Sequence, residues 1–285
     1  MFSRSSLPTF IAQTRSRVVA VLLCLGLAQS AHAVTVSPTA LYISARSPSG
    51  LLTLINTGTR PEEIEIGFGF GYPVSDSTGL LRVDILDSAG AGEPGITSFL
   101  RAFPRRLVLQ PGQRQVIRVT VVAPAGLANG EYWGRVLVKS RGGEPPIEQV
   151  QGQVKMQLSL ETTFATALFF HKGEVATGII VPTASARQMK DGVQFTIDLE
   201  RQGNAAFLGR VRAEVVDSRN QVRGSAEDVV AVYRTLRRRF LIKPDTTGAP
   251  VLPLTVRYLV DTERPDLPAT GPLRAAAVTA TIPVR

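Results

Sequence analysis

The sequence predicts an all-β protein built from two β-sandwich domains in tandem, preceded by an export signal. Three observations predict this fold. Apolar residues recur with period two in almost every segment, turn-forming residues separate the segments at regular spacing, and no segment combines a helical period with capping residues. Short alternating strands with such turns are typical of β-sandwiches.

The N-terminal residues 1–33 have the pattern of a cleaved signal peptide. Three arginines precede the apolar run 18–28, and residues 31–33 read Ala-His-Ala, a typical cleavage site. We therefore expect export and cleavage after about Ala33, with no membrane insertion of the mature chain. Lipidation of Cys24 is disfavoured by the bulky Leu23 before it, and an uncleaved anchor is the remaining alternative.

The mature chain is long enough for two domains of ordinary size. We place the first at 34–171 and the second at 172–285, with the boundary near His171-Lys172-Gly173. The formal net charge of the whole chain is +9. Basic residues are spread along the chain and form no stripe with interleaved aromatic residues, so nucleic-acid binding is not expected. Cys24, the only cysteine, leaves with the signal, so stability depends on core burial without disulfides.

The predicted strands follow one another with clear turn signals. Turns are expected at 56–58, 76–79, 111–112, 129–130 and 191–192. One turn of helix is expected within 96–103. Alternating apolar residues mark the strands in the segments 41–45, 64–70, 107–109, 117–121, 132–138, 193–199, 211–215, 254–260 and 278–284.

The longest alternating run is 150–170, which we predict to be the last strand of the first domain. Its even-numbered positions are mostly apolar, whereas its odd-numbered positions up to Ala167 are polar, charged or small. Ordinary strands have about 5–6 residues, so this run exceeds what one sheet needs. Its apolar face therefore raises the question of what covers it.

Residues suited to catalysis or metal binding are scarce. The mature chain has one histidine, His171, no cysteine and no G-x-S-x-G segment. No cluster of ligands predicts a metal site, and Gly67, Gly69 and Gly71 alternate within a strand pattern instead of preceding a helix. We therefore expect neither an enzyme nor a cofactor.

Four segments, in this order and spacing, resemble the periplasmic pilus-assembly chaperones of the PapD-like, chaperone–usher type. They are residues 35–57, residues 104–119, Gly130-Glu131-Tyr132, and Pro145-Pro146 ahead of the long run. The resemblance covers most of 34–172, and the second domain matches only as a sandwich with a comparable strand rhythm.

The resemblance implies two immunoglobulin-like domains arranged as a boomerang, in a periplasmic protein that delivers pilin-like subunits to an outer-membrane usher. In this family the last strand of the first domain lends alternating apolar side chains to an incomplete subunit. Here Val154, Met156, Leu158 and Leu160 occupy the matching positions. Such strand addition combines backbone hydrogen bonds with side chains that fill pockets. In the simpler alternative, these four residues face only the core of the first domain.

The sequence departs from the family at its carboxylate anchor, where two basic residues are expected. Ala40 and Ala165 stand at the aligned positions, and neither can bind a carboxylate. Lys155, Lys172 and Arg46 are the weak candidates for a substitute cation. The family also has an arginine entering the linker, where this chain has His171.

Two other functions remain open at the sequence level. One is a secreted structural or adhesion protein that has the fold without client binding. The other is a binder of an anionic envelope component through Arg237-Arg238-Arg239, a run that also fits an exposed strand edge protected by charge. Self-association of the client-free protein through its exposed strand is a further open point.

Overall fold

The computed structural model describes residues 34–142, 147–151, 154–158, 161–244 and 250–285, with the backbone alone for 147–151 and 154–158. The predicted signal peptide, its cleavage site and Pro145-Pro146 lie outside these residues. The described chain is all-β and forms two sandwiches one after the other, which confirms the predicted fold class.

The first sandwich comprises two sheets with the strand orders β1-β3-β9-β7 and β2-β13-β10-β4-β8. All pairs are antiparallel except β2 with β13, which run parallel. The hairpins β5/β6 and β11/β12 are separate two-stranded sheets. The strands are β1 (Val34–Ser37), β2 (Ala40–Ser44), β3 (Ser49–Asn56), β4 (Glu62–Gly69), β5 (Val74–Ser75), β6 (Leu81–Arg82), β7 (Leu100–Phe103), β8 (Arg106–Leu109), β9 (Arg114–Val121), β10 (Gly130–Gly142), β11 (Ile147–Gln151), β12 (Val154–Leu158) and β13 (Glu161–Lys172).

The second sandwich comprises sheets with the strand orders β14-β15-β18 and β17-β16-β19-β20. Each pair within these sheets is antiparallel. Its strands are β14 (Thr177–Met189), β15 (Gly192–Gly203), β16 (Phe207–Val216), β17 (Val222–Val232), β18 (Thr235–Ile242), β19 (Thr255–Asp261) and β20 (Val278–Pro283).

Each sandwich has its own apolar core, and a third cluster joins them. Alternating residues from facing sheets fill the two cores, as the period-two pattern requires. Leu168 and Phe170 of β13 lie in the first core, and Phe195 and Phe240 lie in the second. The third cluster lies between the sandwiches.

The helix expected within 96–103 is a short 3-10 turn, Thr97–Phe99, after which β7 begins. No helix among the described residues is long and apolar enough to cross a membrane.

The long run 150–170 is not one strand, contrary to the sequence-based expectation. It is divided among β11, β12 and β13, and β11 pairs with β12 in the register Gln151↔Val154. Because this pairing is antiparallel, the chain runs in opposite directions in β11 and β12. A period-two count does not detect such a reversal, because alternation continues on both sides of it.

Candidate functional site

The strand β13 has a backbone edge that is only partly paired. On one side, β10 pairs with β13 along its whole length, from Glu161 to Lys172. On the other side, β2 pairs only from Ala167 to His171. The stretch Glu161–Thr166 therefore has no strand on this second side among the residues that the structure describes. An unpaired edge of this kind is a template for another strand.

Hydrogen bonds at the end of β13 identify which backbone groups face this open edge. The backbone N–H of Ala167 donates to the carbonyl of Thr39, just before β2 (3.3 Å), and the carbonyl of His171 accepts from Ala45, just after it (2.9 Å). Because N–H and C=O directions alternate along a strand, the odd-numbered residues direct both groups towards β2. Thr163 and Ala165 consequently present their N–H and C=O groups to the open edge.

The predicted client-binding residues lie just before this edge. The backbone of β12 contains Val154, Met156 and Leu158, whereas Leu160 lies outside the described residues. Their participation in client binding stays a prediction. Further along the run, Leu168 and Phe170 lie in the core of the first sandwich, and Phe164 packs against it. These even-numbered positions therefore face the core of their own domain, as in the simpler alternative.

The two positions aligned with the carboxylate anchor lie on neighbouring strands and are offset by two residues in the register. Ala40 is 2% exposed, and its partner in β13 is Ala167. Ala165 lies two residues before Ala167 in β13 and is exposed. A loop of the second sandwich covers the start of β2. Its Asp266 carbonyl accepts a hydrogen bond from Thr39 Oγ1 (3.3 Å), and a Cβ built on Gly271 would lie 2.3 Å from Cγ of Tyr42.

The three weak substitute cations are dispersed. Lys172 donates its Nζ to the carbonyl oxygens of Ala125 (2.9 Å) and Leu127, so it fastens a loop of its own domain. Arg46 is exposed in the turn after β2. Lys155 lies in β12, of which only the backbone is described. The described contacts bring none of them to the anchor positions.

An aromatic cluster joins the two sandwiches, and we call it the junction cluster. Its buried members are Ala40, Phe70, Trp133, Phe169, Ala206 and Tyr233. Tyr233 comes from the second sandwich, and its ring centroid lies 4.7 Å from that of Trp133, 5.0 Å from that of Tyr72 and 6.0 Å from that of Phe169. Burial raises the pKa of Tyr233 to about 12. The cluster therefore packs one sandwich against the other through buried aromatic contacts.

A buried carboxylate reinforces the same junction. The side chain of Glu131 in β10 is 3% exposed, and its Oε2 lies 2.7 Å from Nε2 of His171. Its Oε1 accepts from Trp133 Nε1 (2.7 Å) and from the backbone N–H of Ala206 (2.8 Å), which belongs to the second sandwich. His171, which was expected in the linker, therefore contacts a carboxylate that is also hydrogen-bonded to the second sandwich.

The arginine run 237–239 is not simply an exposed edge, as its simpler interpretation assumed. The hairpin β5/β6 of the first sandwich covers β18, and Ser75 Oγ accepts from the backbone N–H of Arg237 (2.7 Å). Arg237 also donates to Asp198 Oδ1 (2.6 Å), and Arg238 is paired with Asp228. Only Arg239 is exposed. The run therefore serves contacts between and within the sandwiches.

No group of three or more potential metal ligands occurs among the described residues.

No protein-family model matches the sequence, and no curated protein matches it either. Solved structures do resemble it. One belongs to the CsuC–CsuE chaperone–tip adhesion subunit complex from archaic chaperone–usher Csu pili of Acinetobacter baumannii, with 11% identity, 88% of this chain and 98% of that chain covered, and a TM-score of 0.42. The likeness is to pilus chaperones.

Two further structures belong to the same group. The complex of the Salmonella enterica SafA pilin with the SafB chaperone gives 12% identity, coverage of 88% and 97%, and a TM-score of 0.44. The class 5 fimbriae chaperone CfaA gives 13% identity, coverage of 87% and 98%, and a TM-score of 0.42. At these identities and scores the likeness extends to the fold alone.

Proposed function

We propose that this protein is a periplasmic chaperone that binds a pilin-like subunit by pairing a strand with it and delivers that subunit to an outer-membrane usher. The observation that carries the proposal is the open edge Glu161–Thr166 of β13. It lies directly after the hairpin that contains the predicted residues Val154, Met156 and Leu158.

The physical basis is β-augmentation. A client strand that pairs with the open edge gains backbone hydrogen bonds, and alternate apolar side chains of the chaperone fill pockets in the client. The rigid junction supports this role, because a fixed angle between the sandwiches holds the edge in one orientation. A second copy of the chain is a competing occupant of the same edge, which would appear as a dimer of the client-free protein.

The primary experiment is the recovery of a client. The tagged protein, isolated from the periplasm of its own organism, is expected to carry a small β-rich subunit in a one-to-one ratio, identified by mass spectrometry. Its recovery without any such subunit, together with its presence in an assembled surface structure, would favour the structural or adhesion function instead.

Ala165→Pro tests the open edge directly. Proline removes the N–H that faces the edge and places its ring there, whereas the bonds to β10 are retained. We expect client affinity to fall by about 10-fold or more, since one backbone hydrogen bond and close approach are both lost. The control Ala165→Thr keeps the N–H and should bind normally. Equal binding by both variants, measured by calorimetry with the recovered client, would contradict the strand-pairing assignment.

Leu158→Asp tests the predicted row in β12. A charge in an apolar client pocket is costly because it loses its hydration without a partner. We expect the complex to be abolished while the thermal unfolding temperature of the free protein is unchanged. Gln157→Asp, the same change at the neighbouring position of opposite phase, is the matched control. A complex that persists in Leu158→Asp would remove this row from the client-binding site.

A further inference from the structure

The strand β18, which contains the arginine run 237–239, lies at the edge of its sheet. The sheet has the order β14-β15-β18, and no strand pairs with the other side of β18 among the described residues. The backbone N–H of Arg201 in β15 donates to the carbonyl of Arg234 (2.9 Å), one residue before β18. Because N–H and C=O directions alternate along a strand, the odd-numbered residues of β18 direct both groups away from β15. A free edge of this kind can accept another strand.

The features that usually blunt a strand edge are prolines, bulges and charges, and they are weak in β18. The opposite edge strand of the same sheet, β14, contains Pro182 and a register shift beside it. In contrast, β18 (Thr235–Ile242) contains no proline and pairs with β15 in unbroken register along its whole length. Charge gives little protection either, because carboxylates neutralise two of the three arginines, Arg237 and Arg238. The edge therefore needs another cover.

The β5/β6 hairpin of the first sandwich supplies this cover. Ser75 Oγ accepts from the outward-directed N–H of Arg237 (2.7 Å), and Nη1 of Arg237 donates to the carbonyl of Ser77 (3.2 Å). The turn passes so close to the strand that a Cβ built on Gly79 would lie 3.1 Å from the backbone nitrogen of Arg239. The turn therefore covers the free edge from Arg237 to Arg239.

The hairpin covers the edge without extending the sheet. Among the described strands, β5 and β6 pair only with each other. The N–H of Arg237 is thus bonded to a side-chain oxygen and not to a strand that presents a new edge of its own. The turn is also held in shape locally, since Asp76 Oδ1 accepts from the N–H groups of Thr78 and Leu80. A preformed turn loses little conformational freedom when it covers the strand.

We propose that the β5/β6 hairpin is a cap in cis that keeps β18 from accepting a strand of another molecule. The association that it prevents is pairing of β18 with β18 of a second copy of this chain, because identical edges can pair about a two-fold axis. Leu241, the odd-numbered residue beyond the cap, is 51% exposed and would add apolar contact to such a pair. The inference is independent of the proposed function, because β18 and the open edge of β13 belong to different sandwiches.

The first experiment measures hydrogen exchange of the Arg237 amide in the mature protein. Ser75→Ala removes the acceptor of this N–H. We therefore expect its exchange to be faster by about 10-fold or more, as for the loss of one hydrogen bond. Ser77→Ala is the matched control and should exchange at the wild-type rate, because Ser77 contacts Arg237 through its backbone carbonyl. Equal rates in Ser75→Ala and the wild type would overturn the proposal.

The second experiment measures self-association by analytical ultracentrifugation. Ala165→Pro is present in every variant, so that pairing at the open edge of β13 is disrupted. Gly79→Ala places a Cβ against Arg239 at a φ of +83°, so it should lift the turn and give a dimer whose fraction rises with concentration. Ser75→Ala, which adds no strain, should do the same to a smaller extent. Gly92→Ala is the matched control and should remain monomeric, because its φ of +77° is similar but no other part of the chain lies within 4 Å of the added Cβ.

Arg239→Pro identifies the strand that forms the dimer. It removes an N–H that is directed away from β15, whereas the bonds of β18 to β15 are retained. Added to Gly79→Ala, it should restore the monomer. A dimer that persists would overturn the proposal, and so would a monomeric Gly79→Ala, whether or not its Arg237 amide has lost protection. Neither result affects the proposed function, which is tested by recovery of a client and by the variants of β12 and β13.

Discussion

Tyr233→Ala is expected to lower the free energy of unfolding by about 3–5 kcal/mol, the usual cost of removing a large buried aromatic side chain. Tyr233 is 3% exposed and contacts three aromatic rings of the first sandwich. Its loss leaves a cavity between the sandwiches and not within either core. We therefore expect one calorimetric transition in the wild type and two in the variant.

Tyr258→Ala is the matched control for this experiment. Tyr258 is 6% exposed and stacks on Phe195 inside the second core, with a centroid distance of 5.6 Å. Its removal should destabilise the second sandwich by a similar amount while the junction cluster stays intact. A single transition in Tyr233→Ala, or two transitions already in the wild type, would contradict a junction that couples the domains.

The all-β fold was predictable because burial of one strand face is a local property. Each core strand buries alternate side chains, so period two is visible in any short segment, as in β15 with Phe195 and Ile197. The pairing of the strands is not local. The open edge of β13 depends on where β2 begins to pair, and the sequence of β13 alone does not contain that information.

Consecutive apolar residues in the sequence indicate the junction cluster, but they are easily overlooked within the alternating pattern. Leu168-Phe169-Phe170 is apolar on both faces of β13, and Tyr132-Trp133 is similar in β10. A strand that buries both faces contacts something beyond its own core. The partner, Tyr233, is 64 residues after Phe169 in the chain, so its identity required the structure.

The β5/β6 hairpin likewise combines a local feature that the sequence predicts with a long-range contact that it does not. The turn at 76–79 was predictable from its residues, because the Asp76 side chain accepts from the backbone N–H groups of Thr78 (2.8 Å) and Leu80 (3.0 Å). The contact of this hairpin with Arg237 was not predictable from the sequence, since it depends on the angle between the sandwiches.

Glu131→Ala is expected to cost about 3–5 kcal/mol, because it removes one partner from a buried, hydrogen-bonded arrangement. Trp133 Nε1 and the Ala206 N–H would both lose their acceptor. Since a carboxylate has only acceptor sites, His171 Nε2 is the donor in the third bond, and it too would be left without a partner. Chemical denaturation of the mature protein measures the loss.

Glu131→Gln distinguishes the contribution of the shared acceptor oxygen from that of the negative charge of Glu131. Glutamine keeps one acceptor oxygen, which can still bond to Trp133 and to the Ala206 N–H of the second sandwich, so we expect a smaller loss of about 1–2 kcal/mol. The two domains should then still unfold together, whereas Glu131→Ala should separate their transitions, as Tyr233→Ala does. If glutamine is as damaging as alanine, the contact with His171 within the first sandwich, and not the oxygen shared with Ala206, accounts for the lost stability.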